Sequence, residues 1–304
     1  MCQFRSGIIL KTRCVVAQGS DDSHTTLLEE LNIEDTRENA MRKFVRVELV
    51  PSNGEWWTDP DTWKINVDQD IVPDWFETDK EKYLDEFRKA VKEWWNVHVL
   101  VDQKIDELSS GYYRLKRCEV KKLLKDVQVL LDSSTVQKML DSSTVQKMWD
   151  SSTVQKMWDS STVQKMYGSS TVQKMLDSST VQEMYGSSTV QKMLDSSTVQ
   201  EMHGSSTVQE MYGSSTVQEM WNSSTVQKMR DSSTVQKMWN SSTVQEMWDS
   251  STVQEMYGSS TVQKMWNSST VQEMWDSSIA RDYKSGKRKV MVGPDLEVVK
   301  VDEK

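Results

Sequence analysis

The chain has 304 residues, 36% of them hydrophobic, and a net charge of −9. That length holds two or more domains, and nothing in the balance is basic enough to draw nucleic acid by electrostatics. Three scattered cysteines (Cys2, Cys14, Cys118) are too few for a disulfide scaffold or a zinc site, and the early apolar runs are too short for a signal peptide or membrane span, so the expected location is a reducing cytoplasm.

Residues 1–117 carry the mixed composition of a small α+β domain. Gln3 to Leu10 and Cys14 to Gln18 read as a strand pair, and Leu27 to Leu31 follows Ser/Thr/Asp capping residues that suit a short helix. Phe44 to Val50 alternates Val45, Val47 and Leu49 against Phe44, Arg46 and Glu48, the pattern of a half-buried strand. Trp63 to Val67 reads as another. Thr78 and Glu81 form a capping-box pattern opening a helix with Leu84, Phe87, Val91 and Trp94 or Trp95 on one face. Six of the thirteen tryptophans lie between Trp56 and Trp95 and are expected in this domain's core and rim.

From Asp132 to Trp275 the chain is sixteen uninterrupted copies of a nonapeptide, Asp/Gly/Asn-Ser-Ser-Thr-Val-Gln-Lys/Glu-Met-x. Nine residues are two and a half helical turns, so Val136 and Val145 would point to opposite sides of a straight helix. A continuous strand would also flip faces at each copy, so something must reset the register once per unit. The first position does this, because Asp, Gly and Asn tolerate positive φ in tight turns. Short strand, corner, short strand is the pattern of a β-solenoid.

The ninth position sets the coil length. Every second unit carries a ring there: Trp149, Tyr167, Tyr185, His203, Trp221, Trp239, Tyr257 and Trp275. The alternate set is mixed (Leu140, Trp158, Leu176, Leu194, Tyr212, Arg230, Trp248, Trp266) and is followed mostly by Asp, whereas the ring set is followed mostly by Gly or Asn. Two unlike corners recurring every 18 residues imply two repeats per coil, hence eight coils and a rod of roughly 40 Å at about 4.8 Å per strand. Invariant Val, Met and the second Ser are assigned to a narrow core, with Thr, Gln and Lys/Glu outside. Lys and Glu alternate irregularly at their shared position.

The expected organisation is therefore an α+β domain (1–117), a degenerate cap (118–131), a solenoid of eight 18-residue coils (132–275), and a degenerate cap with a hairpin tail (276–304). Val127 to Leu131 and Asp276 to Tyr283 continue the repeat frame one unit outward, as protective end units do. The tail, Lys289 to Val292 and Leu296 to Val301 around Gly293-Pro294, reads as a hairpin over the last coil.

Met1-Cys2-Gln3-Phe4-Arg5-Ser6, the Val72-Pro73-Asp74-Trp75-Phe76 segment and the Ser-Ser-x-Val-x-x-Met repeats together resemble a family of uncharacterised proteins in bacteriophages and gut bacteria. The resemblance spans the chain and implies a two-part layout and a phage or prophage origin. It transfers no site residues. Likeness to pentapeptide-repeat proteins is architectural only, since their period is five.

Two functional classes follow. In the first, the protein is a non-enzymatic scaffold whose ring-bearing edge, the eight residues from Trp149 to Trp275 given above, offers a stripe suited to a protein or carbohydrate partner. Stacking that merely stabilises the rod is the plainer account of the same residues. In the second, removal of Met1 leaves Cys2 as an N-terminal nucleophile of an amidohydrolase, its α-amine acting as base and Arg5 or Arg13 binding a carboxylate. A structural cysteine at the start of a buried strand is the simpler reading. His24, His98 and His203 lack ligand partners at metal spacing, the carboxylates of Glu29-Glu30 and Asp68 to Asp74 suit solvated surfaces, and the corners lack calcium-type spacing. The sequence calls for no cofactor, metal, nucleic acid or membrane.

Overall fold

Antiparallel pairing organises the first part of the chain and parallel stacking the second. The computed structural model describes residues 5–19, 21–285 and 289–294. The chain divides into two compact units, 1–101 and 102–304.

The first unit is α+β. Strands β1 (Arg5–Leu10), β2 (Arg13–Val16), β3 (Phe44–Val50) and β4 (Lys64–Val67) form a sheet in the order β2-β1-β3-β4, antiparallel throughout. Helix α1 (His24–Glu30) is capped by Ser23 and α2 (Arg37–Arg42) by Thr36, each side chain accepting from the backbone N–H three residues on. Ile8, Leu27, Leu28 and Phe44 make one apolar cluster. On the other side, the long helix presents Tyr83, Phe87, Val91 and Trp94. Gly7 permits that approach: a Cβ there would stand 2.4 Å from Phe87 Cε2.

The helix boundary differs from the capping-box expectation. Asp74–Thr78 is a separate short helix, α3, and α4 runs from Lys80 to His98. Thr78 Oγ1 donates back to the Asp74 carbonyl at 2.9 Å, so this hydroxyl closes α3 instead of capping α4. Tyr83, with Leu84 only half-buried, takes the first core position of the buried face. The tryptophans divide as expected: Trp56, Trp63 and Trp94 are buried, and Trp57, Trp75 and Trp95 form a half-buried rim.

The second unit is a β-solenoid with two repeats per coil. Thr135–Met139 pairs with Thr153–Met157, and Thr144–Trp149 with Thr162–Met166, each 18 residues on and parallel. Alternate units thus build two sheets. The parallel ladder of the first contains Thr135–Met139 and runs to Ile279–Asp282; that of the second contains Thr144–Trp149 and runs to Thr270–Met274. Within the array the invariant residues stack on their own kind, Thr on Thr, Val on Val and Met on Met, while the seventh position pairs Lys with Lys, Glu with Glu or Lys with Glu. Every corner from Asp141 to Asp276 has positive φ, between 52° and 66°, which explains the restriction to Asp, Asn and Gly.

Val and Met both point inward although three positions apart, which a regular strand forbids. The ladder resolves this by skipping Gln: Thr135, Val136, Lys138 and Met139 have bridge partners and Gln137 has none. The resulting kink brings Met139 back to the core side. Val and Met of the repeats are fully buried up to Val262, and the second Ser is buried throughout. Ser152 and Ser269 donate their hydroxyls to the carbonyl three residues earlier.

The solenoid has about ten coils, two more than the nonapeptide array alone supplies. Lys104–Leu108 and Glu119–Leu123 stack in the first sheet, Gly111–Lys116 and Val127–Asp132 in the second. Lys104 lies opposite Glu119, and Glu119 opposite Thr135, so these coils are 15 and 16 residues long and escape an 18-residue period. Their inward residues, Val120, Leu123, Val129 and Leu131, replace the Val and Met of the array. Stacking therefore begins well ahead of residue 118. At the far end, Lys289–Val292 lies antiparallel on Ile279–Asp282 and covers the open edge of the first sheet. The other half of the expected tail hairpin, Leu296 to Val301, falls outside the described residues. No helix among the described residues is long and apolar enough to cross a membrane.

Candidate functional site

The ring-bearing edge is built by the second sheet. From Tyr167 to Trp275 the backbone N–H of each ring-bearing residue donates to the Met carbonyl of the preceding coil, as from Tyr185 to Met166 at 2.9 Å. This fixes the rings one strand spacing apart. Tyr167, Tyr185, His203, Trp221, Trp239 and Tyr257 form a continuous parallel stack, with centroid separations of 5.3, 5.0, 6.4, 5.0 and 4.2 Å and interplanar angles of 9° to 14°. The two outer members of the set stand apart. Trp149 faces Lys147 Nζ at 6.0 Å, and Trp275 is 46% exposed.

Stacking determines what the column can bind. Inside it, both faces of each ring are covered by neighbours, so only ring edges and polar tips meet solvent. Four of those tips are tied down. Tyr185 Oη donates to Glu183 at 2.5 Å, Trp221 Nε1 to Glu219 at 3.1 Å and Tyr257 Oη to Glu255 at 2.7 Å, while His203 Nε2 lies 3.0 Å from Glu201. The hydrogen bond to Glu183, then burial and the Glu183 charge, push the Tyr185 phenol up to about 12. Burial works to raise the Glu183 carboxyl, but the hydrogen bonds from Tyr185 and Lys165 outweigh it and hold that group below its ordinary value.

A sequence signal for this coupling exists. All seven Glu at the seventh position of the repeat are followed two residues later by Tyr, Trp or His, and Leu140, Leu176, Leu194 and Arg230 all follow Lys. The pattern is one of donors and acceptors.

The opposite edge carries a shorter stack, Trp248, Trp266 and Tyr283, at 5.3 and 5.2 Å, with the Arg230 guanidinium 5.9 Å from the Trp248 ring. Where Leu replaces a ring, a shallow depression of about 510 Å³ opens, lined by Lys174, Lys192, Leu194, Asp195, Tyr212, Gly213 and Asp231.

Folding also sorts the charges that look irregular along the chain. On the first sheet Lys138, Lys156, Lys174 and Lys192 follow one another in register. On the second, Glu183, Glu201 and Glu219 do. The seventh position thus gives one face six Lys and two Glu, and the other three Lys and five Glu.

The remaining sequence candidates are placed as follows. Cys2 lies outside the described residues. Arg5, offered as its carboxylate-binding partner, is 1% exposed, pairs with Asp22 at 2.6 Å, donates to the Ala17 and Gly19 carbonyls, and lies 3.6 Å from the Trp94 ring centroid. Burial pushes the Cys14 thiol up to about 12 and also raises Cys118, the opposite of nucleophile activation. His98 stacks on Trp94 at 5.1 Å. Glu29 and Glu30 are exposed on α1. His24, to which the sequence assigns no ligand partner, does meet two carboxylates, Glu48 and Asp68. No spacing rule links residues on a helix, a strand and a loop.

No family model matches the chain, and neither a curated protein nor a solved structure does.

Proposed function

We propose that the protein is a non-enzymatic interaction scaffold of phage or prophage origin, in which the solenoid is a rigid display rod of adjustable length. The observation that carries this reading is the unbroken in-register stacking of near-identical coils, since a repeat that contacts only its neighbours can be added or removed without disturbing the rest. The origin rests on the whole-chain resemblance in sequence.

The ring-bearing edge, Trp149 to Trp275, is the proposed binding surface, and the proposed partner is a protein. A sugar stacks its C–H face on an open ring face, and within the column those faces are taken by neighbouring rings. A protein can use ring edges, the Glu row beside them and the Thr rows together. Carbohydrate stacking is left to exposed Trp275.

The test is capture from host lysate by the full chain and by a variant with Trp221, Trp239 and Tyr257 all changed to Ser. Loss of the captured partner with the β-rich circular dichroism spectrum retained supports the proposal. An unchanged capture profile overturns the assignment to this edge.

A further inference from the structure

Three side chains of the first unit converge without any part in the scaffold reading. His24 opens α1, Glu48 lies on β3, and Asp68 follows β4. Their donor atoms all lie within 4.8 Å of one another. Each is held by backbone structure: Ser23 caps the helix that starts at His24, Glu48 is paired between Ser6 and Asn66, and the Asp68 N–H donates to the Arg46 carbonyl at 2.9 Å.

The orientation of the imidazole is informative. Its Nε2 lies 3.1 Å from the Val47 carbonyl oxygen, which can only accept, so Nε2 carries the hydrogen. Nδ1 is then the atom turned toward the carboxylates, 3.2 Å from Asp68 Oδ2. A backbone carbonyl on the far ring nitrogen is the arrangement that fixes a metal-ligating histidine in its tautomer and orientation. Two acids crowd one nitrogen, and a cation between them would relieve the crowding.

We propose that Nδ1 of His24 and the carboxylates of Glu48 and Asp68 hold a divalent transition-metal ion, with zinc the best match. Zinc takes nitrogen and carboxylate donors at about 2.0–2.2 Å, which sets adjacent donors of a tetrahedral shell about 3.3 Å apart. The 3.2 Å between Nδ1 and Oδ2 meets that spacing. Calcium and magnesium prefer shells of oxygen alone, so the imidazole argues against them. The His24 side chain is 10% exposed and that of Asp68 58%, which leaves a solvent route for entry and a fourth position for water. Bound there, the ion ties α1 to two strands of the sheet.

The rival account is a bare ion pair, with a hydrogen on Nδ1 donated to Asp68. Titration calorimetry of the chelator-treated full chain with zinc chloride separates the two, read beside the His24 ring nitrogens by NMR. The metal site predicts one zinc per chain, a metal-shifted Nδ1 with Nε2 still protonated, and binding weakened at least about tenfold in Asp68→Asn and in Glu48→Gln but kept in His203→Ala, where the other His–Glu pair is removed. Asp68 is exposed, so its variant tests the site even if His24→Ala does not fold. Zinc affinity weaker than about 1 mM, or binding that survives both carboxylate variants, overturns the proposal.

Discussion

Tyr185 donates its phenolic hydrogen to Glu183, two residues earlier in the chain, while its ring lies flat against His203 of the next coil at 5.0 Å. One side chain therefore joins the coupling of charge and ring within a repeat to the stack that runs along the rod. The pair has a pH signature. Tyr185 titrates at about 12, above its ordinary value of 10.0, because ionisation forfeits the hydrogen bond and sets a phenolate beside a carboxylate. A folded-state value above the unfolded one means this contribution to stability is complete below pH 10 and is lost as pH rises toward 12. Glu183→Gln is expected to bring the phenolate transition down toward 10 in an ultraviolet titration and to lessen the loss of stability across that window.

The lysine column on the first sheet stores repulsion. Lys174 stands in register between Lys156 and Lys192, one strand spacing from each. Lys174→Glu is expected to stabilise the rod by about 0.2–1 kcal/mol, as replacing a like-charge cross-strand pair with an opposite one does. Denaturation in about 1 M salt, where the screening length falls to about 3 Å, should erase most of that gain.

Corner geometry makes its own prediction. Asp177 has φ of 53°, and its Oδ2 accepts from the backbone N–H of Asp159 in the preceding coil at 3.3 Å. Asp177→Gly keeps the conformation and loses only an exposed hydrogen bond, so its denaturation midpoint should move little. Asp177→Val places a β-branched residue in the left-handed region and is expected to cost about 1–2 kcal/mol. Equal midpoints for the two variants would contradict the account of why the first repeat position is restricted.

In the first unit, Arg5 is buried against Trp94 and paired with Asp22, whose side chain is 14% exposed. Arg5→Ala removes the guanidinium from that carboxylate and is expected to cost roughly 3–5 kcal/mol in chemical denaturation, as breaking a buried pair does.

The repetitive part of the fold was legible because sixteen near-identical units display their own constraint. A position limited to Asp, Asn and Gly marks a left-handed corner, and a ring recurring every second unit marks the coil. The coil that opens with Lys104–Leu108 left no trace because it is 15 residues long, and of the 16-residue coil that opens with Glu119–Leu123 only Val127 to Leu131 shows the repeat frame, since these coils bury Val and Leu in place of Val and Met. The Thr78 capping pattern misplaced a helix start because a hydroxyl that could cap the following helix instead bonds the Asp74 carbonyl behind it. At the candidate site, the column of rings was readable from spacing. The burial of its faces was not, because ring orientation depends on contacts between coils. The meeting of His24 with Glu48 and Asp68 is tertiary and leaves no periodic trace.

Two nonapeptides make one coil, so that residues 18 apart are strand neighbours and residues nine apart belong to different sheets. Oxidative cross-linking of introduced cysteine pairs tests this directly. Lys156 and Lys174 are register partners in the first sheet, and Lys165 lies between them in sequence but in the second sheet. Paired parallel strands stand about 4.8 Å apart, within the Cα separation a disulfide spans. The variant with cysteine at 156 and 174 should close its disulfide under mild oxidation, and the variant with cysteine at 156 and 165 should stay reduced. Closure of the 156–165 pair with the 156–174 pair left open would contradict the two-repeat coil and the edge and face assignments that rest on it.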